Sequence, residues 1–302
     1  MQYDWPLAAH SVARVSRVAS ALCRFGRKLG SAVQNPSPAS PPPAASIKED
    51  RHFVSALARG LEVLSVFRPQ DRVLGNQELA RRARLPKSTV SRLTYTLTKL
   101  GYLEPAKDPS GTMGYRLGSR VLALGSNLLQ RLDIRALARP HMQQLADQTL
   151  TMVALGTPER RSMIYIETCR SEPIMTLRLN VGSRIPMATT AMGRAYLAIC
   201  SESERRALMQ RFRESHPQQW PVVEQGIAEA LASYHDLGCC TSFTEWQGHV
   251  NAIAVAFRVP GQPALAISCG GPAYNLAPDY LLGEVRPRML EAVQRIEALG
   301  TP

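Results

Sequence analysis

One stretch of the chain, residues 86–103, combines cationic and hydroxyl side chains in a pattern suited to contact with a polyanion. At helical spacing, one stripe of this stretch carries Ser88, Arg92, Tyr95 and Lys99. No acidic residue accompanies them, and a nucleic-acid backbone would repel carboxylates on such a face. Arginine and short hydroxyl side chains also bind base edges. The stripe predicts a helix that lies against DNA, and an ordinary solvated helix face is the alternative.

The same stretch has the start, the core face and the end of a helix. Pro86 is favourable at a first helical position, and Gly101 suits the left-handed residue that ends a helix. An apolar stripe lies on the side away from the cations: Val90, Leu93, Leu97 and Leu100. This stripe predicts that the helix packs on a core while its polar face stays free.

A shorter helix is predicted directly before it, from Gln77 to Arg84, with Asn76 as its N-cap. Only Leu85 and Pro86 separate the two helices, which is the spacing of a helix-turn-helix. An amphipathic segment at residues 54–67 supplies a further helix in front of them. This context strengthens the prediction that the second helix recognises DNA.

A β-hairpin is predicted after these helices, because extended runs at 103–105 and 115–117 flank an Asp-Pro-Ser-Gly turn. A hairpin in this position is the wing of a winged helix, and its tip can lie along a neighbouring groove. Three of its side chains could reach phosphate or sugar: Lys107, Thr112 and Arg116. Ordinary surface polarity is the alternative for each of them.

The net charge of +12 is concentrated around these elements. Residues 51–132 hold 14 basic and 5 acidic side chains, whereas residues 133–302 hold 16 of each. A basic head joined to a neutral body predicts a polyanion-binding module and a second domain with another task. A head that binds protein is the alternative, and it predicts association that salt does not weaken. No apolar run approaches the roughly 18 residues that a membrane helix needs, so we expect no membrane partner.

The fold class predicted from these patterns is α+β, with four regions along the chain. They are a disordered, basic and proline-rich extension (1–50), a winged helix-turn-helix domain (51–118), a connector helix (119–133) and a C-terminal α+β domain (134–302). Strands of an antiparallel sheet are predicted at Thr151–Gly156, Ser162–Thr168, Met175–Asn180, Cys240–Phe243, Val250–Arg258 and Leu265–Cys269. One helix from Pro278 to Leu299 closes the chain.

An enzyme is the competing class of function. A metal or thiol site could be imagined from His235, Cys239, Cys240 and His249, but their spacing matches no ligand pattern. The sequence shows no phosphate-binding glycine loop, paired-carboxylate site or serine nucleophile elbow, so we expect neither catalysis nor a cofactor. The six cysteines lack a disulfide-dense arrangement, which favours a reducing cytoplasm.

Several motifs in order resemble the IclR family of bacterial transcription regulators. They are PKSTVSRLTYTLTKLGYL, RPHMQQLADQT, VGSRIPMATTAMGRAYLA, TEWQGHVNAIAVAF and ISCGGP, and the resemblance covers roughly residues 52–300. It implies a homodimer or dimer of dimers on a palindromic operator in double-stranded DNA. It also implies a GAF-like C-terminal domain that binds a small effector, an organic or aromatic acid, so that operator binding responds to the effector.

The resemblance also implies functional residues. The recognition helix contributes Lys87, Ser88, Thr89, Ser91 and Arg92. The effector site contributes Thr190, Ala191, Met192, Gly193, Ser242, Ala252, Ser268 and Gly270. Many relatives have cysteine or serine at the positions of Ala252 and Gly270, and an aspartate common near Ser242 is missing. These departures imply a larger or more apolar effector, or loss of effector binding.

Overall fold

The computed structural model describes residues 52–68, 70–130, 132–171, 179–215, 217–260 and 263–299. The chain divides into two compact units, one ending at Leu132 and the other beginning at Asp133. Within the described part of the chain, no helix is long and apolar enough to cross a membrane. The predicted extension at 1–50 lies outside the described residues.

The first unit is a winged helix-turn-helix followed by one long helix, which confirms the predicted fold. Its elements are α1 (Ser55–Ser65), α2 (Asn76–Ala83), α3 (Lys87–Lys99), β1 (Leu103–Lys107), β2 (Met113–Leu117) and α4 (Ser119–Gln130). Arg84 takes a left-handed conformation, with φ at 53°, and turns the chain from α2 towards α3. Gly101 has φ at 75° just beyond α3, where the sequence predicted a left-handed residue.

The helices of this unit pack around a small apolar core in which Val63, Leu79, Val90 and Leu97 are buried. Leu100 is 47% exposed, so its predicted place in the core stripe is wrong. The chain turns away one residue later, at Gly101, so the buried stripe of α3 ends at Leu97, and Leu103 on β1 continues the core.

A polar contact joins α2 to α3 inside this unit. Thr94 is fully buried on α3, and its hydroxyl donates to the Asn76 side chain at 3.3 Å. Asn76 was predicted to be the N-cap of α2, but Gly75 holds that position and the Asn76 side chain points to α3 instead. The angle between the two helices is therefore fixed by a hydrogen bond as well as by apolar packing.

The wing is a two-stranded antiparallel hairpin in which Leu103 pairs with Leu117 and Lys107 with Met113. Leu74 forms a bridge to Tyr115 and so attaches the segment before α2 to the outer strand. The backbone approaches closely here, because a Cβ atom added to Gly114 would lie 2.7 Å from the Leu74 carbonyl oxygen. Glycine is required at this position to hold the wing against the helices.

The second unit is a six-stranded antiparallel sheet with helices packed on it, as the predicted α+β class requires. Its strands are β3 (Met152–Glu159), β4 (Ser162–Cys169), β5 (Arg184–Pro186), β6 (Cys240–Phe243), β7 (Val250–Phe257) and β8 (Leu265–Pro272), in the order β5-β4-β3-β8-β7-β6. Its helices are α5 (Asp133–Thr149), α6 (Ala191–Ile199), α7 (Glu202–Ser215), α8 (Trp220–Leu237), α9 (Pro278–Tyr280) and α10 (Arg286–Leu299).

Helices pack on the sheet in two pairs. α6 and α8 pack on each other and on β6 and β7, while α5 contacts α10 and β4. Alternate residues of each strand point to opposite faces. Ala254 and Ala266 therefore belong to the core beneath α6 and α8. Their sequence neighbours Ile253 and Ile267 point to the opposite face and are also fully buried. Burial on both faces explains why the central strands are almost continuously apolar.

Two elements of this unit differ from the sequence prediction, and a third predicted element is not tested. The short strand Arg184–Pro186, which was expected to be loop, pairs with β4. The strand predicted at Met175–Asn180 lies mostly outside the described residues. The final helix is interrupted by a π-helical turn, Leu281–Val285, in which the Arg286 N–H bonds to the Leu281 carbonyl. Pro287 follows directly, and the wider turn accommodates its ring and missing N–H group.

The beginning of α6 lies tightly against the segment before it. A Cβ atom added to Gly193 would lie 2.1 Å from the Met187 carbonyl oxygen, which is far inside van der Waals contact. Glycine at this position therefore lets the first turn of α6 approach the Met187 backbone.

We expect Gly193→Ala to lower the free energy of unfolding of the second unit by about 1–3 kcal/mol or more, because neither backbone segment can yield cheaply. Thermal and urea unfolding followed by circular dichroism would measure the change. Gly283→Ala is the control, since this helical glycine has no atom within 4 Å of an added Cβ. Equal stability of the two variants would contradict the close approach.

Candidate functional site

The outer face of α3 is a polar, cationic surface. Lys87, Ser88, Ser91 and Arg92 are exposed, whereas Thr89 is half-buried. The first turn of α3 contains no acidic residue. Further along the same face Tyr95 is 65% exposed, and the Lys99 ammonium lies 5.6 Å from the centre of its ring. The structure thus places the five predicted side chains of the recognition helix along one element, with four of them open to solvent.

The polar face is held in place from below. Ser91 accepts a hydrogen bond from the Asn76 side chain at 3.4 Å, and the same side chain accepts one from buried Thr94. The two contacts connect an exposed hydroxyl of α3 to the core of the unit. They fix the rotation of α3 about its axis, which decides the direction in which Arg92 points.

The three wing residues that were predicted to contact DNA differ in their surroundings. Lys107 is exposed at the end of β1. Thr112 is exposed, but its hydroxyl is 3.0 Å from that of Ser110. Arg116 forms an ion pair with Glu104 at 2.9 Å across the hairpin. The three side chains therefore differ in how freely they could reach a phosphate.

The turn of the wing is organised by Asp108. Its carboxylate accepts hydrogen bonds from the backbone N–H groups of Ser110 and Thr112, both at 2.9 Å. These bonds, together with one from the Ser110 hydroxyl, hold the pKa of Asp108 below its usual value. The acidic residue at the tip is thus used to shape the turn.

A small cavity of about 30 Å³ lies between the sheet of the second unit and the beginning of α6. Seven of the eight predicted effector residues line it: Thr190, Ala191, Met192, Ser242, Ala252, Ser268 and Gly270. They come from α6 and from the paired strands β6, β7 and β8, so the sheet register brings together residues that are distant in sequence.

Gly193, the eighth predicted residue, does not belong to the lining. It is buried in the first turn of α6, where its missing side chain makes room for the Met187 backbone. Its contribution is to position the lining residues Ala191 and Met192. Gly193 is therefore placed behind the residues that line the cavity.

Six lining residues were missed by the sequence prediction: Met152, Ala154, Tyr165, Ile185, Trp246 and Val250. Five of them lie on strands, where successive side chains point to opposite faces of the sheet. The sequence alone does not show which face borders the cavity. Trp246 lies in the TEWQ segment between β6 and β7, and an isolated tryptophan in a loop was the one available signal for it.

The floor of the cavity depends on two small residues. Ala252 on β7 pairs with Gly270 on β8, and a Cβ atom added to Gly270 would lie 2.8 Å from the Ala252 methyl carbon. Both are positions at which the sequence analysis predicted a departure from the family pattern. The small side chains keep the cavity apolar at this point.

A second recess, of about 430 Å³, adjoins the first. It lies at the ends of β3 and β8 and shares Met152 and Gly270 with the cavity. The two spaces are thus separated by one flexible side chain and one backbone segment. Gly270 lines both spaces, whereas the other predicted effector residues do not line the second recess.

A buried arginine connects the helix and the loop on either side of the cavity. Arg194 on α6 is 3% exposed and donates to both carboxylate oxygens of Glu245, at 2.8 and 2.5 Å. It also donates to the backbone carbonyl oxygens of Ala188 and Thr241. Gly226 on α8 leaves room for the guanidinium, since an added Cβ would lie 2.5 Å from it. The arrangement attaches the loop that carries Trp246 to α6.

The cysteine and histidine residues considered for an enzyme do not form a reactive group. Cys239 and Cys240 are buried, and burial raises the pKa of Cys239 to about 12 and that of Cys240 further. The two thiols are therefore protonated at neutral pH, which disfavours nucleophilic attack and metal binding. His235 is exposed on α8 beside Asp236. Within the described residues, no three potential ligands cluster as a metal would require.

Two family models match these two units. Residues 56–106 match the IclR helix-turn-helix domain, and residues 126–298 match the bacterial transcriptional regulator IclR C-terminal domain. The chain belongs to the IclR family of bacterial transcription regulators. It is thus a transcription regulator with a helix-turn-helix DNA-binding domain, and the resemblance seen in its motifs is confirmed.

Individual members support the assignment. The HTH-type transcriptional regulator TsaQ1/TsaQ2 of Comamonas testosteroni is 33% identical over 82% of this chain and 88% of its own length. The crystal structure of an IclR family transcriptional regulator from Brucella abortus is 41% identical, covers 86% of this chain and 97% of that one, and superposes with a TM-score of 0.76. An IclR homologue from Microbacterium hydrocarbonoxydans, solved with 4-hydroxybenzoate, shares the fold at 24% identity and a TM-score of 0.63, over 80% of this chain and 98% of that one.

We expect Glu245→Gln to lower the free energy of unfolding of the regulator by about 1–3 kcal/mol, because it leaves Arg194 buried without a countercharge. The figure is below that for a fully buried pair because Glu245 is 25% exposed and solvent screens it. Thermal unfolding would measure the shift. Glu202→Gln breaks the exposed pair with Arg206 and should change stability by no more than about 0.5 kcal/mol. A similar shift in both variants would argue against a special role for Arg194.

Proposed function

We propose that the regulator binds a palindromic operator as a homodimer or dimer of dimers, and that a small organic acid in the second unit controls this binding. The observation that carries the proposal is the convergence of seven expected effector residues on one cavity in a chain whose other unit is a winged helix. The bacterial cytoplasm, where DNA and metabolites are both accessible, is the compartment we assign to it.

Contact with DNA is assigned to α3 and the wing. On α3 the assigned residues are Lys87, Ser88, Thr89, Ser91 and Arg92, and on the wing they are Lys107, Thr112 and Arg116. α3 enters the major groove, where an arginine can bind a guanine edge through two hydrogen bonds. Lys107 lies on an exposed strand end and binds phosphate, which adds affinity without sequence information.

Self-association is assigned to α4. No described residue of this helix is buried, although Leu122, Leu124 and Leu128 lie on it. Leu124 and Leu128, four residues apart, are 59% and 63% exposed. A helix with a leucine face requires a partner, and a second copy of the same helix supplies one by twofold symmetry. Twofold symmetry is also what a palindromic operator requires.

Control by an effector is assigned to the cavity of the second unit. Its walls are mainly apolar, and α6 begins at its edge. Free amides at a helix N-terminus bind carboxylates without a cationic side chain. The 4-hydroxybenzoate bound by the Microbacterium hydrocarbonoxydans homologue is an acid of this class.

The two sites are coupled through the dimer in this proposal. Effector binding changes the distance between the two winged helices, so that they fit or miss half-sites about one helical turn, or a multiple of it, apart. The effector then needs no contact with DNA.

We expect Arg92→Ala to weaken binding to the operator by about 1–3 kcal/mol and to relax the preference for one base pair in each half-site. Selection from random DNA with the wild-type protein would supply the operator, and fluorescence anisotropy would measure affinity. Arg206→Ala, a charge-matched change on the exposed surface of α7, should leave affinity unchanged. An unselective wild-type protein, or an Arg92 variant that binds normally, would contradict the assignment.

Salt dependence separates DNA contact from protein docking. Wild-type affinity should fall steeply with salt, and Lys107→Ala should reduce the slope of log affinity against log salt by about 1. Affinity that is insensitive to salt would favour a protein partner for the basic unit.

We expect Leu124→Glu combined with Leu128→Glu to reduce the mass of the regulator in solution, because two carboxylates would be buried at the helix contact. Light scattering coupled to size exclusion would give the masses and would distinguish a dimer from a tetramer. Leu299→Glu is the control, since this leucine of α10 is 51% exposed. A monomeric wild-type protein, or a double variant of unchanged mass, would rule out this contact.

A further inference from the structure

One residue of the cavity wall has a buried hydrogen-bond donor that no described protein group satisfies. Trp246 lines the cavity and is 6% exposed, and its Nε1–H group has no acceptor among the described residues. An indole N–H can donate a hydrogen bond but cannot accept one. Buried polar groups are nearly always paired, so an unpaired one at a cavity wall indicates a partner that enters the cavity.

The backbone supplies two further donors to the same cavity. At the beginning of α6, the Thr190 side chain accepts from the Gly193 N–H at 3.2 Å, and the Thr190 carbonyl accepts from the Arg194 N–H at 3.0 Å. The N–H groups of Ala191 and Met192 find no acceptor in the described part of the chain. Both residues line the cavity, and the helix dipole favours negative charge beside them.

Two hydroxyl groups of the lining already have protein partners. The Thr190 hydroxyl donates to the Pro186 carbonyl at 2.6 Å, and the Ser242 hydroxyl donates to the Thr189 carbonyl at 2.9 Å. Burial raises the pKa of Tyr165 to about 12, so the phenol stays neutral. No charged side chain is among the lining residues. The cavity therefore offers three unpaired N–H donors within an apolar wall.

We infer that the effector is a small carboxylic acid with an apolar body and a second hydrogen-bond acceptor, and that Trp246 selects for the second acceptor. The inference rests on the proposed function of this cavity as the effector site. The carboxylate accepts from the Ala191 and Met192 amides, and the second acceptor bonds to the Trp246 indole. The apolar body packs against side chains such as Met152 and Ile185, which line the cavity.

The position of Trp246 is fixed well enough for it to discriminate between ligands. Glu245 precedes it and is held by both terminal nitrogens of buried Arg194. At the base of the loop the Thr244 N–H bonds to the Val250 carbonyl at 2.9 Å, and Thr244 has a left-handed φ of 59°. An indole held in this way loses little conformational freedom when a ligand binds. It also cannot move to find another acceptor when the ligand lacks one.

Two acids of similar shape test the inference. 4-Hydroxybenzoate carries a second acceptor, and 4-methylbenzoate replaces it with a methyl group. Calorimetric titration of the full-length regulator should show about 3- to 10-fold tighter binding of 4-hydroxybenzoate, which is the effect of one hydrogen bond. In Trp246→Phe, which keeps an aromatic ring but lacks the N–H, the two acids should bind within about 2-fold of each other.

Trp220→Phe is the matched control. Trp220 is also buried in the second unit but does not line the cavity, so this variant should keep the wild-type preference. It also provides a measurement that does not depend on the Trp246 variant being folded. When Trp5→Phe is added to the Trp220 variant, Trp246 is the one tryptophan left in the chain. In that double variant, 4-hydroxybenzoate should shift the tryptophan emission to longer wavelength, and 4-methylbenzoate should shift it less.

The outcomes separate this inference from the proposed function. Equal preference in wild type and Trp246→Phe, or no emission shift with bound 4-hydroxybenzoate, would overturn the role of Trp246. Failure of both acids to bind, in a preparation that still binds its selected operator, would overturn the stated effector class and leave the DNA-binding function standing. Loss of operator selectivity in the wild-type protein would overturn the proposed function itself.

Discussion

The second unit depends on one buried guanidinium. Arg194 is held by Glu245 and by two backbone carbonyls, and these partners belong to the segment before α6, to β6 and to the loop after β6. Removing a guanidinium from water is unfavourable, and only a nearly complete set of acceptors offsets it. The segments that supply those acceptors are therefore fixed relative to one another. The cavity lies where they meet, so its shape follows from the needs of a side chain that does not line it.

A different constraint shapes the first unit, where the core is small and glycine permits close backbone contact. Gly114 lets the wing approach Leu74, and the hydrogen bond between Thr94 and Asn76 sets one helix against the other. Both contacts are local and modest. Together they give α3 a defined rotation, which a helix that must match base edges requires.

The sequence predicted the elements that are specified by residues close together in the chain. It missed the elements that form only through contact with residues far away in the chain. α3 and the wing were recognisable because spacing, turn residues and Gly101 lie within a few residues of each other. Leu100 was misplaced because its burial depends on where the chain turns, and Arg184–Pro186 was missed because three residues become a strand only when β4 lies beside them. The π-helical turn before Pro287 likewise has no local pattern of its own.

The candidate effector site divides in the same way. Family motifs supplied Thr190 and Ser242, whereas Met152 and Tyr165 enter the cavity only through the register of β3 and β4. Gly193 was assigned to the ligand because it lies in a motif, and its true neighbour is the Met187 backbone. A motif thus identifies the region of the chain that forms the site. Only the packing of the folded chain separates the residues that line the cavity from those that support them.

The ion pair on the wing has a consequence for how a regulator searches a genome. Glu104 forms an exposed ion pair with Arg116, so in the proposed DNA complex a phosphate competes with the carboxylate for this arginine. Displacement requires close and well-aligned approach, which a loosely bound, sliding protein does not achieve. The arginine therefore adds little to transient attachment along arbitrary sequence and more once α3 is seated in its groove. An arginine paired in this way increases the ratio of operator affinity to affinity for other DNA. This ratio matters because competing sites in a genome number in the millions.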